Sequence, residues 1–276
     1  MYKLNLRLEM EIDYQHLCTR VQDIAHKAGS FIREERMKIT ATDVETKSKA
    51  SLVTYVDKTA EAMIVDALQK LQPGAGFVTE EGTAGNEGES LMWIVDPLDG
   101  TTNYIHGVYP NSVSIGLLED GNPVLGVVYE LGLSEMFYAW KGSPAYLNGK
   151  TIRVRTVEQP EDALVATGFP YYDFDRLDDY LGVLRHLMVT TRGIRRMGSA
   201  AVDLSYVAAG RFDGFFEHAL HAWDVAAGAF ILMQAGGTVS DFNGGANWLF
   251  GGEIVAASRK YYPEFFSVIH KGLGSL

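Results

Sequence analysis

Apolar residues return at three- and four-residue steps between about residues 13 and 37. Leu17, Val21, Ile24, Ala25, Ala28 and Ile32 share one stripe, which predicts an amphipathic helix interrupted by Gly29. A second stripe, Ala60, Met63, Ile64, Ala67 and Leu68, predicts a helix over 55–71 that Pro73-Gly74 stops. The period then changes. Residues 76–79 and 91–95 read as buried strands that each run directly into carboxylates, and 113–118, 123–130 and 136–140 continue as strands. Turn residues such as Glu119-Asp120-Gly121-Asn122 separate them, and Asn148-Gly149 predicts a tight hairpin. Further along, helices are predicted over about 172–188, 200–209 and 222–234, the last ended by Gly236-Gly237. A strand is predicted over 212–217, followed by short strands and a final helix from about residue 260. Runs of strands mixed with runs of helices predict an α/β chain of layered α+β type, not an all-parallel wound sheet. A hinge near 157–168 divides the chain into an N-terminal lobe of about 1–157 and a C-terminal lobe of about 158–276 within one unit.

Composition narrows what such a chain can do. Its 276 residues are 47% hydrophobic and 21% charged, as in ordinary soluble globular proteins. With 35 Asp and Glu against 24 Lys and Arg, the formal charge of -11 argues against an electrostatic grip on nucleic acid or on an anionic membrane. The single cysteine, Cys18, removes any intrachain disulfide framework and any cysteine-rich zinc site. Charge within residues 1–7 excludes the apolar stretch of a signal peptide. The longest charge-free runs, 100–118 and 225–240, are too polar or too short to span a membrane. The expectation is a soluble cytoplasmic protein with a reduced, buried Cys18.

The informative stretch is Trp93-Ile94-Val95-Asp96-Pro97-Leu98-Asp99-Gly100-Thr101-Thr102-Asn103. An apolar strand ends in Asp96, Pro97 fixes the backbone, and Asp99 follows, so two carboxylates and the Leu98 carbonyl can face one point. Hard divalent cations such as Mg²⁺ take this all-oxygen set. Gly100-Thr101-Thr102 can open a helical turn whose free N–H groups bind a phosphate beside the metal. The same residues also make a solvated acidic turn with Asp99 as a cap. Glu80 and Glu81 follow the strand at 76–79, Asp57 follows an apolar run, and Asp224 opens an apolar helix. Each has a structural reading of its own, since Asp57 and Asp224 suit helix N-caps and Glu80-Glu81 a charged loop. Together, carboxylates at several apolar element ends point to a multi-metal phosphatase site. Gly149-Lys150-Thr151 does not complete a phosphate-binding loop, because the required first glycine falls on Pro144.

Two stretches carry a family resemblance. Asp96-Pro97-Leu98-Asp99-Gly100-Thr101-Thr102-Asn103, and Trp223-Asp224-Val225-Ala226-Ala227-Gly228 with Gly236-Gly237, resemble the two signatures of the inositol monophosphatase family of Mg²⁺-dependent, lithium-sensitive phosphatases. The resemblance implies an α/β/α/β/α sandwich of the inositol monophosphatase and fructose-1,6-bisphosphatase type, a homodimer, and a small phosphorylated polyol or sugar as substrate. It further implies that Glu80, Asp96, the Leu98 carbonyl, Asp99 and Asp224 hold two or three Mg²⁺ ions. Thr101, with Asp57 and Glu80, would orient and deprotonate the attacking water. Backbone N–H groups of Gly100 and Thr101, beside Asp99, would hold the phosphate. Gly198, Ser199, Ala200 and Glu217 would contact sugar hydroxyls, and Asp224 would lie near the leaving oxygen. Thr79-Glu80-Glu81-Gly82 departs from the family's Gly-Glu-Glu-Ser, which affects the geometry of that loop. Thr102-Asn103 matches inositol phosphatases where the 3′(2′),5′-bisphosphate nucleotidases have Lys-Glu. Inositol monophosphate is therefore the first expected substrate. Fructose 1,6-bisphosphate, histidinol phosphate, a nucleoside bisphosphate and a non-catalytic metal-binding module are the alternatives. Arg192, Arg195 and Arg196 form a basic cluster open to three readings: a phosphate contact, a dimer contact or a solvated face.

Overall fold

The computed structural model describes residues 12–38, 44–48, 51–85, 90–169 and 174–274. Seven helices, two main sheets and one small hairpin are found among them. Helix α1 (Tyr14–Glu35) starts at Asp13, whose carboxylate accepts the His16 N–H at 2.9 Å. Strands β1 (Val44–Ser48) and β2 (Ser51–Thr54) pair antiparallel and lead into α2 (Tyr55–Leu71). The stripes of α1 and α2 pack against one face of a seven-stranded sheet and form a core around Ile32, Ile64, Trp93, Ile115 and Val127.

That sheet contains β3 (Gly76–Thr79), β4 (Leu91–Asp99), β5 (Ser112–Glu119), β6 (Asn122–Glu130), β7 (Glu135–Trp140), β8 (Ala145–Leu147) and β9 (Lys150–Ile152), in that spatial order. Only the β3–β4 pair is parallel. Asn148 and Gly149 turn from β8 to β9 with φ of 48° and 81°, the left-handed pair that a two-residue hairpin requires, so this tract is a hairpin. The apolar pattern predicts a strand ending at Val95, yet β4 runs on to Asp99. Its pairing with β5 slips between Asp96 and Asp99, because Pro97 has no N–H to give the ladder.

A short α3 (Thr101–Ile105) follows β4, and the chain crosses between Ile152 and Leu164 to a five-stranded sheet. This second sheet holds β10 (Leu164–Thr167), β11 (Gly193–Arg195), β12 (Gly214–His218), β13 (Gly237–Ser240) and β14 (Glu253–Ser258), in the order β11-β10-β12-β14-β13. Helices α5 (Ala200–Ala208) and α6 (Ala222–Gln234) lie between the two sheets, while α4 (Leu177–Thr190) and α7 (Tyr262–Leu273) cover the outer face of the second. Alternation along β12 shows the layering: Phe215 faces the α5–α6 core and Phe216 the α4–α7 core. The result is the expected α/β/α/β/α sandwich. Helix α4 starts at Leu177 rather than 172, and residues 170–173 lie outside the described residues. Among the described residues, no helix is long and apolar enough to cross a membrane.

Two glycines set how close α6 lies to the first sheet. A methyl group at Gly126 would fall 2.6 Å from the Ala227 carbonyl oxygen, and one at Gly116 3.2 Å from the Ala226 Cβ. Gly116 and Gly126 pair across β5 and β6, and Ile94 of β4 pairs with Gly116. Helix backbone therefore rests almost directly on sheet backbone, and the first turn of α6 lies over the end of β4.

Candidate active site

The site forms where β4 leaves the first sheet and where α5 and α6 begin. Asp96 and Asp99 flank the β4 irregularity, and Asp96 pairs with Ser114 on β5. The Ser114 hydroxyl donates to the Trp223 carbonyl at 3.3 Å, which ties the next residue, Asp224, to the same spot. One carboxylate oxygen from each of Asp96, Asp99 and Asp224 lies within 4.8 Å of the others.

Each carboxylate is positioned by its own contacts. Asp96 accepts the Leu98 N–H at 2.9 Å. Asp99 accepts the Ser199 hydroxyl at 2.7 Å and the Ala201 N–H at 2.8 Å, placing it at the N-terminus of α5. Asp224 is the third residue of α6, not its cap; it accepts the N–H of the capping residue His221 at 2.6 Å. Asp57 has the same place in α2: Thr54 is the cap, and its N–H and hydroxyl donate to Asp57 at 2.9 and 2.7 Å. The second Asp57 oxygen faces Thr101. The Thr101 hydroxyl lies 3.0 Å from it and 3.0 Å from the Leu98 carbonyl, with one proton to give to either.

Gly100 caps α3 with φ of 91°, in the left-handed region, and a methyl group there would lie 3.0 Å from the carbonyl oxygens of Gly198 and Pro110. Gly100 and Gly198 therefore meet backbone to backbone. Asn103 bridges the same junction, donating to the carbonyls of Pro110 and Met197 at 2.8 Å each.

Burial and mutual repulsion set the electrostatics of the cluster. Burial, with the charges of Glu80, Asp99 and Asp224 added, pushes Asp96 far above the usual carboxylate range. Burial does the same to Asp224, and raises Asp99 to about 6 against the hydrogen bonds it accepts. Several carboxylates held this close, with an all-oxygen donor set, fit a divalent cation. Glu80 lies outside the 4.8 Å group, near enough for its charge to raise Asp96 and Asp224.

Glu217, on β12, is buried and raised to about 8 by that burial, and Arg196 opposes the shift. Its carboxylate rests on Gly168, where a methyl group would fall 1.7 Å from Oε1. Ser199 and Ala200 open α5 within this wall, and Gly198 precedes them. The arginine cluster splits in space: Arg192 pairs with Asp162 on the surface, Arg195 is exposed, and Arg196 turns toward the field of Asp99 and Glu217.

Glu61, Gly168 and Asp203 escaped the sequence reading. Glu61 is fully buried on α2 and accepts the Glu81 N–H at 2.8 Å, the Thr83 N–H at 2.9 Å and the Thr83 hydroxyl at 2.7 Å. It holds the loop that carries Glu80. Its signal was present: Asp57 and Glu61, four residues apart, fall on one face of a helix alongside Ala60 and Ile64. Asp203 is buried on α5, its Oδ1 has no hydrogen-bond partner among the described residues, and burial raises it far above the carboxylate range.

The sequence profile of the inositol monophosphatase family matches residues 13–272. The chain is 42% identical over 254 residues to the Nus factor SuhB of Pseudomonas aeruginosa, covering 90% of this chain and 94% of that protein. It is 40% identical over 251 residues to an inositol-1-monophosphatase of Rhizobium meliloti, with 90% and 94% covered. Among solved structures, the extragenic suppressor protein suhB from Bartonella henselae superposes with a TM-score of 0.89 at 37% identity, over 94% of this chain and all of that one (100%). The inositol monophosphatase from Anabaena superposes with a TM-score of 0.83 at 32% identity, over 94% and 97%. A match along nearly the whole chain, in sequence and in fold, places this protein in the inositol monophosphatase family.

Proposed function

We propose that the protein is a Mg²⁺-dependent phosphomonoesterase that hydrolyses inositol monophosphate to inositol and phosphate. The observation that carries this reading is the meeting of Asp96, Asp99 and Asp224 within 4.8 Å. Asp96, Asp99, Asp224, Glu80 and the Leu98 carbonyl would hold two or three Mg²⁺ ions. When bound, the ions neutralise the phosphate dianion and lower the pKa of water. Asp57 takes the Thr101 hydroxyl proton in a hydrogen bond, which leaves the Thr101 oxygen free to accept one from the attacking water. As the new P–O bond forms, the P–O bond to inositol breaks. One proton of the water ends on the inositol oxygen and the other passes to phosphate or solvent. The N–H groups of Gly100 and Thr101 hold phosphate oxygens, and Gly198, Ser199, Ala200 and Glu217 read the ring hydroxyls. No side chain becomes covalently attached, so the chemistry needs no cysteine nucleophile.

The test is phosphate release with Mg²⁺ from inositol 1-phosphate, fructose 1,6-bisphosphate, histidinol phosphate and adenosine 3′,5′-bisphosphate side by side. Preference for the first is expected; preference for another reassigns the substrate. The relatives named Nus factor SuhB favour a second reading, in which the chain acts as a binding factor. Metal binding with no release from any ester would select that reading. The intact Asp57–Thr101 pair favours the first. The same reading makes the protein a cytoplasmic homodimer, which sedimentation would check.

A further inference from the structure

One tyrosine touches both chain neighbours of Glu217 from the far side of the second sheet. Side chains alternate along β12, so Glu217 shares the inner face with Phe215, while Phe216 faces α4 and α7. Tyr180, buried on α4, packs its ring against Phe216 and His218, with centroids 5.5 and 5.8 Å apart. Its hydroxyl donates to the Gly168 carbonyl and lies 2.6 Å from the Thr167 hydroxyl. The Thr167 hydroxyl donates to the Phe216 carbonyl at 2.7 Å, across the parallel β10–β12 pair. Phe169 meets the same tyrosine ring edge-on at 6.4 Å.

These contacts bracket Glu217 on both strands. Gly168 gives the carboxylate its room, since a methyl group there would fall 1.7 Å from Oε1. Tyr180 holds the Gly168 carbonyl, and Thr167 holds the carbonyl that precedes Glu217. Two hydroxyls therefore fix how far the Gly168 backbone stands from the Glu217 backbone. Both side chains are buried, so a lost hydroxyl leaves a carbonyl with no water to replace it. Tyr180 belongs to the α4–α7 core, on the sheet face opposite Glu217, and reaches a substrate only through that carboxylate.

We infer that Tyr180 and Thr167 are positioning residues that set the gap between Gly168 and Glu217. Through that gap they set the preference for a polyol phosphate over an ester whose alcohol has no other hydroxyl. This rests on the phosphomonoesterase reading above and on the place of Glu217 in it.

The test compares kcat and KM with Mg²⁺ for inositol 1-phosphate and for 4-nitrophenyl phosphate, whose ring has no hydroxyl to read. Wild type is set beside Tyr180→Phe, Thr167→Val, Thr167→Ser and Glu217→Gln. Tyr180→Phe and Thr167→Val are each expected to raise KM for inositol 1-phosphate about three- to tenfold, the range of one hydrogen bond, with kcat within about twofold. Both constants for 4-nitrophenyl phosphate should stay within about twofold, and Thr167→Ser, which keeps its hydroxyl, should match the wild type. Combining Tyr180→Phe with Glu217→Gln should give less than the sum of the two effects, since one acts through the other. Equal losses for both esters make the two residues merely structural and overturn the inference. So does an unchanged KM in both variants where Glu217→Gln raises it. An unchanged preference in Glu217→Gln overturns the role of Glu217 and the inference with it, and leaves the phosphatase reading intact. Release from neither ester in the wild type overturns the phosphatase reading itself.

Discussion

The two helical layers against the seven-stranded sheet are built on opposite plans. Helices α1 and α2 cover its outer face and keep solvent on their backs: α1 buries Leu17, Cys18, Val21, Ala25, Ala28, Gly29 and Ile32 and exposes most of the rest. Helices α5 and α6 lie between two sheets. Every residue of α5 is buried, and α6 from Val225 to Leu232 is buried throughout. A helix covered on both sides has only its ends for polar chemistry. Asp99 is accordingly gripped at the start of α5, and Asp224 sits in the first turn of α6. The outer layer contributes differently, with Asp57 and Glu61 among the apolar positions of α2. The central layer thus meets the cluster at its helix starts, by gripping Asp99 and carrying Asp224, while the outer layer places Asp57 against Thr101 and Glu61 under the Glu81–Thr83 loop.

Changing charge alone at the central layer should have the largest effect. Asp224→Asn retains an acceptor for the His221 N–H but removes one negative charge. Turnover is expected to fall at least about a thousandfold, while metal-free protein melts at a higher temperature because a repelled buried charge is gone. Steady-state kinetics and a thermal melt check both signs, and a variant that keeps most of its activity removes Asp224 from the ligand set.

Packing gives the next contrast. Gly126→Ala drives a methyl group into the Ala227 backbone and is expected to destabilise by about 3 kcal/mol. Gly29→Ala in the outer layer meets the Tyr129 and Leu131 side chains at 2.6–2.8 Å, which can move aside, and should cost about 1 kcal/mol. Urea denaturation measures both, and equal losses would mean that the close backbone approach of α6 has no special weight.

Glu61→Gln sharpens the role assigned to the outer layer. The amide oxygen replaces one acceptor and its NH₂ faces an N–H or hydroxyl donor, so the Glu81–Thr83 loop loosens at a cost of about 1–2 kcal/mol. Turnover is expected to drop about tenfold with weaker Mg²⁺ binding, readable as a higher Mg²⁺ concentration at half-maximal rate. An unchanged Mg²⁺ profile would make Glu61 a purely structural residue.

The smallest effect is in pH. Asp99 is raised to about 6 and Glu217 to about 8, both chiefly by burial, above the usual 3.9 and 4.3 of the free side chains. Folded protein therefore holds these protons longer than unfolded chain, so their contribution to stability declines as pH rises from about 4 to about 8. Metal-free melting temperature should fall by a few degrees over that window, and saturating Mg²⁺ should flatten the slope. A metal-free melt that rises across the window would contradict the burial of uncompensated carboxylates.

Much of this was legible in advance. The stripes of α1 and α2, the buried strands and the Asn148-Gly149 hairpin all follow local periodicity and turn chemistry, which neighbouring residues alone dictate. Asp96, Asp99 and Asp224 stood out because carboxylates at the ends of apolar runs are costly unless used. Glu61 shares a helix face with Asp57, Ala60 and Ile64, which spacing shows, but spacing does not say which distant loop that face meets. Gly168 was silent: its need for a bare Cα comes from Glu217, forty-nine residues later on another strand. Asp57 and Asp224 suggested N-caps, but each is the third residue of its helix, because Thr54 and His221 present backbone N–H groups that a carboxylate reaches back to accept.

By itself the sequence determined the elements, the layered class and the residues with chemistry to offer, because period, turn type and side-chain charge are local properties. Tertiary structure alone decided that three of those carboxylates share one 4.8 Å space and that Asp57 meets Thr101. The meeting of Asp224 with Asp96 and Asp99 depends on how closely α6 can lie on the sheet. Two glycines on neighbouring strands allow that approach, and only pairing in register brings them to the same helix.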